Sequence, residues 1–252
     1  LVHLVDIVRQ PGRVRHPNTV GHLRRYPSRF GTDVHRDAVR WRLARRCRHP
    51  SALSRRRRYR SFLMPEFVVV RHGRPLTERL ESGIADPSLD EFGRWQAERV
   101  CAWLAHEPVD AVVASPKARA IETVQPLVDQ LDVPLTIVAD LDEIDRFSSI
   151  YVPTDMWGTE GLDILEALGE KRYADIGYDP PDVFRERIAN AWRELVADPP
   201  GEHVVIGCHG GTIREIIRAT FGEMPGSFHA QLEYASICRF TVTDGRVSLT
   251  TL

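Results

Sequence analysis

Lysine is almost missing from this chain. Of its 34 basic residues only Lys117 and Lys171 are lysines, and the rest are arginines. Cysteine is sparse as well: Cys47, Cys101, Cys208 and Cys238 stand apart, and none forms a C-x-x-C pair. That spacing argues against a zinc knuckle, and four scattered cysteines are read more simply as reduced thiols than as two disulfides, so a cytoplasmic protein is expected. No apolar run reaches the roughly 18 residues that a membrane helix needs. The opening Leu1-Val2-His3-Leu4-Val5-Asp6 has no basic segment ahead of its apolar stretch and is interrupted by Asp6, a poor pattern for a secretory signal. What the chain does have is an apolar fraction of 42% over 252 residues, enough for the core of one domain carrying an appendage.

The net charge of −1 hides a sharp asymmetry. Residues 1–63 hold 17 arginines against Asp6, Asp33 and Asp37, a surplus of 14 positive charges. From Met64 onward 32 acidic residues outnumber 17 basic ones, a deficit of 15. A break of this size marks a boundary. The basic segment has little periodicity, includes the run Arg55-Arg56-Arg57-Arg58, and shows a helical pattern only at Ala38–Cys47. Such a composition buries too little surface to offset chain entropy. Residues 1–63 are therefore expected to be an Arg-rich extension, disordered or mis-assigned to the protein, ahead of a catalytic domain at 64–252. An arm that grips nucleic-acid phosphates and a long transit leader are the competing readings. Nucleic acid is not the expected partner, and neither is a membrane.

Past Met64 the pattern changes to alternating strands and helices. Phe67–Arg71, Asp110–Ala114, Leu135–Val138 and His203–Cys208 read as strands, the first two as buried ones. Leu89–Ala105 carries Leu89, Phe92, Trp95, Val100, Trp103 and Leu104 at helical spacing. Pro116 is expected to open a helix running to about Gln130. Pro181–Ala197 places Val183, Phe184, Ile188, Trp192 and Leu195 on one face, and Thr212–Phe221 forms the next helix. Ala235–Thr243 and Arg246–Thr251 flank Asp244-Gly245, a hairpin signal whose edge leaves room for a homodimer. The fold class expected is a three-layer α/β sandwich with a mainly parallel central sheet.

In such folds chemistry gathers at the carboxyl ends of the strands. Arg71-His72-Gly73 ends the first strand, Ser115 the second, the stretch Asp140 to Asp145 follows the third, and His209-Gly210-Gly211-Thr212 follows the fourth. Arg119 lies in the first turn of the helix after Ser115-Pro116, and Glu143 sits in the acidic stretch. Guanidinium forks match phosphate oxygens, and a helix start after two glycines adds backbone donors for an anion. A neutral imidazole held at one nitrogen can attack phosphorus with the other, and a carboxyl group can move the proton. Taken singly, each residue has a bland account: a polar loop histidine, a solvated helix arginine, an acidic loop. Histidine and carboxylate also suit zinc or iron, but neighbouring arginines repel a cation.

Four segments in order, Phe67-Val68-Val69-Val70-Arg71-His72-Gly73, Ser115-Pro116-Lys117-Ala118-Arg119-Ala120-Ile121-Glu122-Thr123, Leu141-Asp142-Glu143-Ile144 and His209-Gly210-Gly211-Thr212-Ile213-Arg214, resemble the histidine phosphatase superfamily, in its phosphoglycerate-mutase-like branch. The resemblance spans residues 66–243. It implies that His72 is a phosphohistidine nucleophile, that Arg71, Arg119 and His209 form the phosphate pocket, and that Glu143 is the proton donor, with no metal or organic cofactor. Three departures stand out. Arg74-Pro75 follows the Arg-His-Gly triplet where the family has Glu or Gln; no Asn lies between Arg74 and Asp86; and Trp157-Gly158-Thr159-Glu160-Gly161 comes late after Glu143, which implies a local insertion and leaves Asp145 and Glu160 as lesser acid candidates. The expected activity is hydrolysis of the phosphate monoester of a small substrate, with Arg74 taking a second anionic group. The alternatives are a phosphoglycerate mutase and a catalytically silent phospho-ligand binder.

Overall fold

The computed structural model describes residues 64–223 and 232–251; the expectations for residues 1–63 lie outside the described residues. In chain order the elements are β1 (Glu66–Arg71), β2 (Glu78–Arg79), α1 (Glu91–Leu104), β3 (Ala111–Ala114), α2 (Ala118–Leu131), β4 (Leu135–Ile137), β5 (Ile150–Tyr151), α3 (Leu162–Gly169), α4 (Pro181–Ala197), β6 (His203–Cys208), α5 (Gly210–Phe221), β7 (Ile237–Thr243) and β8 (Arg246–Thr251). Six strands form one sheet in the order β4-β3-β6-β1-β7-β8. The first four run parallel, and β7 and β8 complete an antiparallel end. This is the mainly parallel sheet expected, with β8 at its edge.

The continuous apolar runs of β1 and β6 follow from burial on both sheet faces. On one face Phe67, Val69 and Ile206 meet Phe184, Ile188 and Trp192 of α4 and Ile213 and Ile216 of α5. On the other, Val68, Val70 and Val205 meet Val100 and Leu104 of α1 and Val124 and Leu127 of α2. These two seams are the layers of the sandwich. Phe67 is fully buried and sits edge-on to Trp192, ring centroids 5.1 Å apart. Burial of one such side chain contributes about 1.5–3 kcal/mol.

Three elements depart from the sequence reading. The buried face of α1 is Gly93, Gln96, Ala97, Val100, Cys101 and Leu104. Trp95 is exposed and stacks on Phe92 instead. Small and polar side chains replace the aromatics because the loop after β1 packs directly on this helix. Next, α2 begins at Ala118, not at Pro116; Lys117 is still extended, and the Ala118 amide is capped by Asp86 Oδ1 at 2.9 Å, from a distant loop. Finally, α5 starts at Gly210 rather than Thr212. Residues 144–178, expected to hold an insertion, fold around a small core of Val152, Ile164 and Tyr178 with Trp157 against it. The short pairing of β2 with β5 and the helix α3 lay outside the sequence reading.

Candidate active site

Strand register builds the centre. In the parallel β1–β6 ladder Arg71 faces Cys208, so the next residue on each strand, His72 and His209, emerges side by side. Their rings meet edge-on with centroids 5.2 Å apart. On the far side of β6, Ala114 of β3 faces Gly207, which brings Ser115 beside the same strand end. Ser115 Oγ lies 2.6 Å from His209 Nε2. Three adjacent strands thus deliver His72, His209 and Ser115 to one point.

His72 is buried, and its Nδ1 lies 2.8 Å from the carbonyl oxygen of Gly73. A carbonyl only accepts, so Nδ1 carries the proton and Nε2 keeps a lone pair. Burial, then the charges of Arg119 and Arg71, hold this imidazole well below the ordinary histidine range, against the raising effect of the Gly73 carbonyl. The ring is neutral and nucleophilic at neutral pH. The Gly73 amide donates to Thr123 Oγ1 at 2.9 Å, tying the loop to α2. The loop also presses on α1: a Cβ on Gly73 would lie 2.6 Å from Gly93 O, and one on Gly93 would lie 2.0 Å from Arg74 O. Only glycine permits that approach.

Two arginines flank the ring. Arg119 is completely buried, donates Nη2 to both oxygens of Asp145 at 3.1 and 3.2 Å, and lies 4.3 Å over the Tyr151 ring. Arg71 donates to Leu232 O and to Thr154 Oγ1, and its guanidinium lies 4.1 Å from the Tyr234 ring centre. Arg71 Nε, Arg119 Nε and Nη1, and His209 Nδ1 are buried without a hydrogen-bond partner among the described residues. Burial is the main cause that holds His209 well below its ordinary range, followed by Arg119.

Glu143 reaches the start of α5. Its Oε2 accepts from the Gly211 amide at 2.8 Å and its Oε1 from the Ile144 amide at 2.9 Å. Burial and then Asp145 raise its pKa, outweighing both amides and Arg119. A carboxyl group that keeps its proton beyond the usual range is suited to general-acid work.

The family model described as histidine phosphatase superfamily (branch 1) matches residues 67–252. The chain belongs to the histidine phosphatase superfamily. A phosphoglycerate mutase-like protein of Arabidopsis thaliana is 29% identical over 161 residues, 60% of this chain and 69% of that protein. A Schizosaccharomyces pombe protein named as a phosphatase is 27% identical over 172 residues, 63% of this chain and 74% of the other. Among solved structures, a phosphoserine phosphatase from Entamoeba histolytica superposes with a TM-score of 0.57 at 20% identity, over 75% of this chain and 96% of that one. A mycobacterial glucosyl-3-phosphoglycerate phosphatase gives 0.55 at 20% identity, over 75% and 98%. The chain is an enzyme that acts on phosphate esters through histidine.

Within this histidine phosphatase, Arg71, His72, Arg119, Glu143 and His209 lie together at the carboxyl ends of the strands. Arg74 does not stand free. Its Nε lies 3.5 Å from Asp90 and 3.6 Å from Asp155, and its Nη2 faces Met156 Sδ at 3.7 Å. The second acid candidates are accounted for as well: Asp145 is paired with Arg119, and Glu160 is exposed. Sequence reasoning assigned no role to Ser115, Thr123, Tyr234 or Arg187. The first two lie inside the motif that carries Arg119, which was the available signal. Among the described residues no group of three or more His, Cys, Asp or Glu is arranged to hold a metal ion. No helix among them is long and apolar enough to cross a membrane.

Gly211 offers a local test of Glu143. A Cβ at this position would lie 2.2 Å from Glu143 Oε1, so Gly211→Ala must push the carboxyl group aside. Displacing it is expected to lower kcat/KM for alkyl phosphates by about tenfold or more, with a smaller loss for aryl phosphates, whose leaving groups need less protonation. Steady-state kinetics on the two ester types would decide it; equal losses would disconnect the acid from this amide.

Proposed function

We propose that the protein hydrolyses phosphate monoesters of small molecules without a metal ion, through a phosphohistidine on His72. In this reading Arg71, Arg119 and His209 hold the phosphoryl group and Glu143 moves the proton. The reading is carried by one observation: donor atoms of Arg71, Arg119 and His209 that have no partner among the described residues are gathered beside a neutral, oriented imidazole. Buried donors without acceptors are costly, and planar guanidinium groups match phosphoryl oxygens. In the same reading the Ser115 hydroxyl, 2.6 Å from His209 Nε2, donates to it and leaves the ring proton on Nδ1, where it serves the same phosphate. Fixed donors of this kind act on charge that develops as phosphorus is attacked.

In the first half-reaction the Nε2 lone pair of His72 forms the P–N bond as the ester P–O bond breaks. The leaving oxygen takes the bond's electron pair and the Glu143 proton. In the second half, the Glu143 carboxylate takes a proton from water, the water oxygen bonds to phosphorus, and the P–N electron pair returns to Nε2. Ester and water give alcohol and inorganic phosphate, with both side chains restored. Small substrates are supported by relatives named for phosphoserine and glucosyl-3-phosphoglycerate. Arg74 enters as a rim residue that braces β1 against residues 155–156; its two carboxylate neighbours offset the charge a second anionic group would need. A cytoplasmic location belongs to the same proposal, supported by the free, buried thiols of Cys101, Cys208 and Cys238.

Hydrolysis of a generic aryl phosphate in the presence of a chelator is the first test, with the acid-labile phosphoenzyme trapped and mapped by mass spectrometry. Undiminished activity and phosphate on His72 are expected. Activity lost to the chelator, or phosphate on another residue, would overturn the proposal. The pH profile follows from the two pKa directions. Attack needs His72 neutral, so the acid limb falls below the ordinary histidine range. Proton donation needs Glu143 protonated, so the alkaline limb lies above the ordinary glutamate range. Activity on alkyl phosphates is expected to peak on the acid side of neutrality. Glu143→Gln should remove the alkaline limb relative to the parent, a comparison in which the substrate's own ionisation cancels.

A further inference from the structure

Glu143 sits in a loop, and a loop by itself is a poor platform for a proton donor that must be held to a fraction of an ångström. The loop is held by a buried arginine from a different layer. Arg187 lies on α4, which packs against the sheet face opposite α1 and α2. Its Nη1 donates to Asp140 O at 3.0 Å and to Asp142 O at 2.8 Å. Its Nη2 donates to Glu143 O at 3.1 Å and to Asp179 Oδ2 at 2.8 Å. One guanidinium thus gathers three backbone carbonyls within the four residues that end at the acid.

Asp179 completes the clamp. It is buried, its amide donates to Ile144 O at 2.8 Å, and its carboxylate also receives Arg146 Nε at 3.1 Å. The carbonyls of residues 140, 142, 143 and 144 and the side chain of residue 146 therefore all end on Arg187 or Asp179. From the other side, Thr212 of α5 donates to Leu141 O at 3.2 Å. A solvated helix arginine has no reason to abandon water for backbone carbonyls. A planar, permanently charged fork can reach several acceptors at once, and a lysine ammonium on a flexible stem cannot reproduce that span.

We propose that Arg187, anchored by Asp179, is the positioning residue for the proton donor: it fixes the backbone of Asp140–Glu143 so that the Glu143 carboxyl meets the leaving oxygen. The inference rests on Glu143 being the donor. It makes Arg187 matter in proportion to how much help the leaving group needs. Expulsion of an alkoxide depends on protonation, whereas a nitrophenolate departs with little assistance. A residue that only stabilised the fold would affect both esters alike.

The experiment compares kcat/KM for an alkyl phosphate and for 4-nitrophenyl phosphate in the full chain, in Arg187→Lys, in Glu143→Gln and in the double variant. Inhibition by inorganic phosphate and thermal melting are measured on each. Arg187→Lys is expected to lose about 10²-fold on the alkyl ester and a much smaller factor on the aryl ester, with the inhibition constant for phosphate within about twofold of the parent. The double variant should lose little more on the alkyl ester than Glu143→Gln does alone, because both changes disable one proton transfer. Equal losses on the two esters, or fully additive losses, would overturn the proposal. If Glu143→Gln itself leaves the alkyl-to-aryl ratio unchanged, then Glu143 is not the donor and both readings fall. If Glu143→Gln changes the ratio and Arg187→Lys does not, only the clamp falls. Should Arg187→Lys not fold, Asp179→Asn loosens the same anchor while keeping the guanidinium, and a change in its alkyl-to-aryl ratio is read the same way.

Discussion

Replacing His72 with alanine is expected to lower hydrolysis of any phosphate monoester by at least about 10³-fold and to abolish the trapped phosphoenzyme. The size of the effect follows from the geometry. Nδ1 is committed to the Gly73 carbonyl at 2.8 Å, so Nε2 is the one nitrogen left with a lone pair. Burial and two arginines hold its pKa well below the ordinary histidine range, which favours the neutral, attacking form at neutral pH. His209 is not a second nucleophile in this reading, because its Nε2, 2.6 Å from Ser115 Oγ, accepts from that hydroxyl and its protonated Nδ1 donates. Inorganic phosphate should still bind to the variant, since Arg71, Arg119 and His209 are untouched. Turnover assays with the chelator present, beside a phosphate-binding measurement, check both halves. Activity within tenfold of the parent would mean that another group attacks phosphorus.

The centre of this enzyme was legible in the sequence because strand ends are legible. Phe67–Arg71 and His203–Cys208 are short apolar runs that only a doubly covered strand explains, and each is followed by a histidine and a glycine. Once both strands lie parallel with Arg71 opposite Cys208, the two histidines must meet. What could not be read was long-range. Tyr234 reaches Arg71, and Arg187 reaches the acid loop, across separations that no local periodicity encodes. Nothing local marks Arg187 among the arginines of its helix. Arg74 has surroundings that were equally hidden. Its charge near the motif suggested an anion site, but Asp90 and Asp155 already stand within 3.6 Å. The aromatics of α1 misled in a similar way, because hydrophobic spacing cannot show that Gly93 and Gln96 are needed against the loop that carries Arg74. Gln96 Oε1 accepts from the Arg74 amide at 2.9 Å, a polar bond buried where an apolar residue was expected.

Arg119→Lys is the second substitution of large expected effect, and it separates a positive charge from a guanidinium fork. Arg119 is fully buried, with Nη2 on Asp145 and with Nε and Nη1 lacking a hydrogen-bond partner among the described residues. An ammonium can keep the Asp145 pair, so the buried carboxylate is not abandoned. Arg119→Met would abandon it, at a cost of about 3–5 kcal/mol in stability. Lysine cannot at the same time present two further N–H groups in a plane. Losing these donors should lower kcat/KM by about 10²–10³-fold for alkyl and aryl esters alike, because the pocket acts on the phosphoryl group and not on the leaving oxygen. Inhibition by inorganic phosphate should weaken in parallel, by about tenfold or more. This uniform loss contrasts with the leaving-group-dependent loss expected from disturbing Glu143 or its clamp, so the two kinds of variant separate phosphate holding from proton delivery. A lysine variant within threefold of the parent on both esters would remove Arg119 from the phosphate pocket and leave it a structural partner of Asp145 and Tyr151.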